Sequence, residues 1–136
     1  MSVQFTDNSL EVKAALNAAA IAFLHEAGGL IQGEVKENAR VDTGNTKNSW
    51  VYVVDEADGV CTIGNPLENA IWEEFGTGEY AVHGDGRKGG WWFYDDEGER
   101  HHTFGKTPTL VLTNAFNKLK NKLKKRAEEV LQSHLN

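Results

Sequence analysis

Cysteine is almost missing from this chain: Cys61 stands alone among 136 residues, which excludes an internal disulfide and any cysteine-rich zinc site. Proline is scarce as well, at two, and that argues against a disordered or fibrous chain. The opening MSVQFTDNSLEVK lacks the basic flank and apolar run of a signal peptide, and no continuous apolar run reaches the ~18 residues of a membrane span. A soluble protein made in the cytoplasm is expected. Catalytic signatures are absent too. No serine sits in a nucleophile elbow, nor does Cys61, which reads as a small buried hydrophobe in a strand. Gly84-Asp85-Gly86-Arg87-Lys88-Gly89 lacks the GK[ST] ending and strand-loop-helix setting of a phosphate loop.

What is present suits one domain spanning residues 1–136. Surface scaling gives about 7,000 Å² folded against about 22,000 Å² extended, so a real core is affordable. Charge is unevenly spread. Residues 118–126 hold six bases (Lys118, Lys120, Lys122, Lys124, Lys125, Arg126) and no acid, while the rest of the chain carries 20 acids against 8 bases. The protein is therefore an acidic body at −12 with a +6 segment, a polarity that directs contacts with an anionic partner or between copies.

Asn8 followed by Glu11 reads as a capping box, so a helix is expected from Ser9. Apolar residues from Leu16 to Val35 recur at three-and-four spacing. Gly28-Gly29 marks a bend or the close crossing of another element. The helix should stop by Val41-Asp42-Thr43-Gly44. Residues 49–55 and 60–63 then read as one hairpin and 91–95 and 99–104 as another, with 67–75 either helix or strand. Six glycines in residues 76–90 predict a flexible loop. Thr107-Pro108 should open the last helix, as N-cap and first helical residue. The fold expected is α+β, with an antiparallel sheet of about four strands flanked by a long N-terminal and a long C-terminal helix.

Candidate sites are few. His101 and His102, with His83, Asp85 and Cys61, supply metal-ligand chemistry, but adjacent strand residues face opposite ways, so no metal is expected. Glu73-Glu74, beside Glu68 and Glu79, reads as a solvated acidic patch rather than a catalytic pair. Arg87 and Lys88 lie on the glycine loop as contact residues. The basic run 118–126 is a docking surface for an acidic protein face or, as the alternative, for nucleic-acid phosphates. Without interleaved aromatics it does not read as a base-stacking binder.

Several segments in fixed order carry a resemblance: Val41-Asp42-Thr43-Gly44 with Asn48-Ser49 after the long helix, then Glu74-Phe75-Gly76-Thr77-Gly78, then Pro108 before the last helix. Together they resemble the tail-completion or neck-component proteins of long-tailed bacteriophages. Thr46, Trp72 and the segment Thr107-Pro108-Thr109-Leu110 depart from that family's usual pattern. The resemblance implies a non-enzymatic virion protein without cofactor, located at the head-tail junction or tail and in the host cytoplasm during assembly. Its implied partners are neck and tail proteins and copies of itself in a ring, with no membrane or small-molecule substrate and with DNA contact not favoured. In a ring, the acidic segment 68–79 would meet the basic segment 118–126 of the next copy.

Overall fold

The computed structural model describes residues 2–4, 6–40 and 45–135. Helix α1 spans Ser9–Asn38, beginning at the expected residue and ending before the expected stop at residues 41–44. Its expected capping box does not form; Asp7 Oδ1 accepts from the Ser9 amide at 2.9 Å instead, and hydrogen bonding from Ser9, its side chain foremost and then its amide, holds the Asp7 carboxyl below its usual range. Gly28-Gly29 leaves α1 unbroken. A Cβ at Gly28 would lie 2.6 Å from the Tyr52 ring and 2.9 Å from Cys61 Sγ, so this is where a hairpin crosses the helix. At Gly29 the corresponding space is open.

After the short helix α2 (Asn45–Asn48), the crossing hairpin is β1 (Val51–Asp55) with β2 (Val60–Gly64), antiparallel with Tyr52 opposite Ile63 and Val54 opposite Cys61. These four side chains are half-buried on one face, whereas Val51, Val53 and Val60 are exposed on the other, the period of a half-covered sheet. Helix α3 (Asn69–Phe75) resolves the helix-or-strand choice, and a 3₁₀ turn covers Gly78–Tyr80. A second hairpin pairs β3 (Trp91–Tyr94) with β4 (Arg100–Thr103), and α4 (Val111–Leu135) closes the chain.

Two expectations are corrected. The strands form two separate two-stranded sheets, not one sheet of four. The segment between the hairpins carries α3 and then bonds to residues 104–110, so β3 never reaches a β1–β2 edge. Helix α4 begins at Val111 rather than at Thr107-Pro108, because the Thr109 and Leu110 amides donate to the Glu73 and Glu74 carbonyls and Leu110 takes φ 53°.

The core lies between the two long helices. Ile31 and Val35 of α1 pack with Val111, Ala115, Leu119 and Leu123 of α4, an i, i+4 stripe, and Trp50 and Ala70 close the cluster. Burying each large side chain contributes about 1.5–3 kcal/mol. Glu34 bonds to Lys118 and Glu26 to Arg126, so the helices run antiparallel. Taken by length and composition, α1 also qualifies as a membrane span, which the run-length reading missed. Its Ile31 and Val35 pack in the core and its Glu26 and Glu34 pair with α4.

Candidate functional site

Backbone and side-chain hydrogen bonds form a clasp where residues 73–79, from α3 through its exit, lie along residues 104–113. Gly76 and Gly78 take φ 76° and 61°. A Cβ on Gly78 would lie 2.1 Å from the Phe104 carbonyl oxygen, so only glycine permits the two backbones to touch there. The Thr77 amide donates to Lys106 O at 2.9 Å, the Lys106 amide to Thr77 Oγ1 at 2.8 Å, and the Glu79 amide to Phe104 O at 2.9 Å. Pro108 packs against Gly76, and the Phe75 ring lies 5.1 Å from that of His83.

Glu74 is the centre of the clasp and the largest departure from the expected solvated acidic patch. It is 4% exposed. Its Oε2 accepts from the Leu112 amide at 2.9 Å and its Oε1 from the Thr113 amide at 2.9 Å and Thr113 Oγ1 at 2.7 Å. A carboxylate from α3 thus caps α4, satisfying orphan donors and meeting the positive end of the helix dipole. Glu73 is committed too: its carboxylate pairs with Lys106 and lies 4.0 Å from Arg40, whose guanidinium also donates to Thr107. Beside the clasp opens a cleft of about 790 Å³ with Trp72, Trp91, Arg40 and Arg87 on its walls.

The other predicted residues divide between internal and open roles. Val41, Asp42, Thr43 and Gly44 lie outside the described residues. Glu68 is exposed, Glu79 Oε1 accepts from the Gly89 amide at 3.2 Å, Arg87 stacks on Trp91, and Lys88 is exposed. Within the basic run, Lys118 bonds Glu34 at 2.7 Å, which raises the lysine pKa and lowers that of the glutamate. Arg126 bonds Glu26 at 3.1 Å and lies 3.7 Å from Glu129. Lys120, Lys122, Lys124 and Lys125 are exposed and make no ion pair among the described residues. Cys61 is half-buried, and burial pushes its thiol pKa up.

His83, Asp85 and Cys61 are not gathered with the paired histidines. The convergence instead joins Asp95, Glu99 and His101, whose ligand atoms lie within 4.8 Å of one another. Asp95 is already engaged: Oδ2 bonds His101 Nε2 at 2.7 Å, and Oδ1 accepts from the Glu97 and Glu99 amides at 3.0 and 2.8 Å. Those bonds, that from His101 foremost, hold the Asp95 carboxyl below the usual carboxylate range. The cluster is a hairpin-turn clamp. An Asp at a turn start was the available signal for it.

Comparison with known families puts the chain in the class of bacteriophage tail components. Residues 4–76 match the HK97-gp10-like family, described as "Bacteriophage HK97-gp10, putative tail-component", and the chain belongs to that family. The match runs from before α1 to Gly76, within the clasp. No curated protein and no solved structure matches the chain.

Proposed function

We propose that the chain is a non-enzymatic structural subunit acting in head-tail joining or tail completion of a long-tailed phage or prophage, through contacts with neck and tail proteins and with its own copies. The family match over residues 4–76 carries this reading. Consistent with it, Glu74 ties α3 to the first turn of α4, and Glu73 and Thr77 bond to Lys106 in the segment before it. A DNA-binding use of α4 is the weaker reading, since Lys118 and Arg126 are tied to α1.

The test is deletion of the coding sequence from the phage that carries it, with electron microscopy of the lysate. Unjoined filled heads and separate tails are expected, and a plasmid copy should restore joined particles. Joined particles at normal yield without the protein would overturn the proposal.

A further inference from the structure

We infer that the β3–β4 hairpin of one copy docks into the groove between α1, β2 and α4 of the next. This rests on the self-associating subunit proposed above and names its interface. The groove, about 350 Å³, is lined by Phe23, Ile31, Ile63, Phe116 and Leu123 and bordered by Lys120 and Lys124, one helical turn apart on α4. Its occupant should therefore combine apolar bulk with carboxylates.

The hairpin has that composition. Trp92 and Tyr94 share one face, since they stand opposite His102 and Arg100 in the register, and they are 57% and 70% exposed. At the tip, Asp96, Glu97 and Glu99 are exposed and make no ion pair among the described residues, whereas Asp95 is turned inward to His101. An isolated two-stranded hairpin is marginal in water, and here the two strands pack mainly on each other. Cover from outside the chain would complete it.

Charge complementarity sets the pairing: three tip carboxylates face the lysines that α4 leaves unpaired. Glu73 and Glu74, the acids first expected to meet this helix, are spent inside their own chain. Area agrees. The subunit exposes 9832 Å², against about 7,000 Å² for a compact chain of its mass, while a standard interface takes about 800 Å² from each partner. Hairpin and groove are different surfaces, so the contact is heterologous and propagates from copy to copy.

Sedimentation of purified full-length protein tests this with two sets of surface substitutions, Lys120→Glu with Lys124→Glu in the groove, and Asp96→Lys with Glu97→Lys at the tip. Wild type should assemble and each variant alone should sediment as a monomer with an unchanged circular dichroism spectrum. Mixing the two variants should restore assembly, because each then offers the charge the other lacks. Wild type remaining monomeric at about 100 μM would overturn the inference, as would a groove variant that assembles normally or a mixture that stays monomeric. Restoration of joined particles by a variant that no longer assembles would likewise remove this interface from the proposed function. If the groove variant both assembles and restores joined particles, the interface falls while the joining role stands.

Discussion

Glu74 is held by three donors from one helix end, and a carboxylate buried to that degree is tolerable only when its lone pairs are filled. Glu74→Ala strips the Leu112 and Thr113 amides of their partner and should lower unfolding stability by roughly 2–4 kcal/mol; Glu74→Gln keeps an acceptor and should cost about half as much. Urea titration reads both, with an unchanged slope expected. Nothing near Glu74 in sequence announced this role, because its donors lie 38 and 39 residues away and Glu73-Glu74 looks locally like any exposed acidic pair. The other residue-scale clamp, Asp95, predicts a pH effect. Because its folded carboxyl titrates below the ordinary range, the turn is fully stabilised above the unfolded carboxylate pKa and loses that stabilisation as pH falls through the folded value. Amide exchange at Glu97 and Glu99 should accelerate in that acid window relative to other amides, and Asp95→Asn should abolish the window.

Elements were legible where one periodicity spans many residues. The apolar spacing of α1 and α4 and the aromatic and β-branched runs of the hairpins are local signals, and those elements appear within a few residues of their expected bounds. The single sheet and the start of α4 were not legible, since both turn on where backbone groups of residues 73–79 find partners, a tertiary matter. Gly28-Gly29 sits between these cases: the sequence offers bend or crossing, and the Tyr52 ring shows crossing. The two glycines therefore predict opposite outcomes. Gly29→Ala meets open space in an exposed helix interior and should stabilise by about 0.5–1 kcal/mol. Gly28→Ala drives a methyl to 2.6 Å from the Tyr52 ring and should destabilise by about 1–3 kcal/mol despite the better helix propensity. Thermal melts of the two variants, run side by side, separate them by sign.

For the whole molecule, the question is whether charge holds the fold or only its contacts. The two cross-helix pairs, Glu34 with Lys118 and Glu26 with Arg126, involve largely exposed basic side chains, and such pairs are weak and screened by salt. The helices are instead joined by Ile31 and Val35 against Val111, Ala115, Leu119 and Leu123, contacts that salt does not weaken. Self-association through acidic tips and unpaired lysines is the opposite case: steering by complementary charge acts across water and fades with ionic strength. Raising sodium chloride from about 20 mM to about 0.5 M should therefore leave the melting temperature of the groove variant, a monomer, almost unchanged. The association rate of wild type, followed by light scattering after dilution, should fall by about tenfold or more over the same range, with dissociation much less affected. Loss of the monomer's fold in high salt would mean that the α1–α4 pair is electrostatic at heart. A salt-insensitive association rate would leave the −12 body and +6 helix without a part in bringing subunits together.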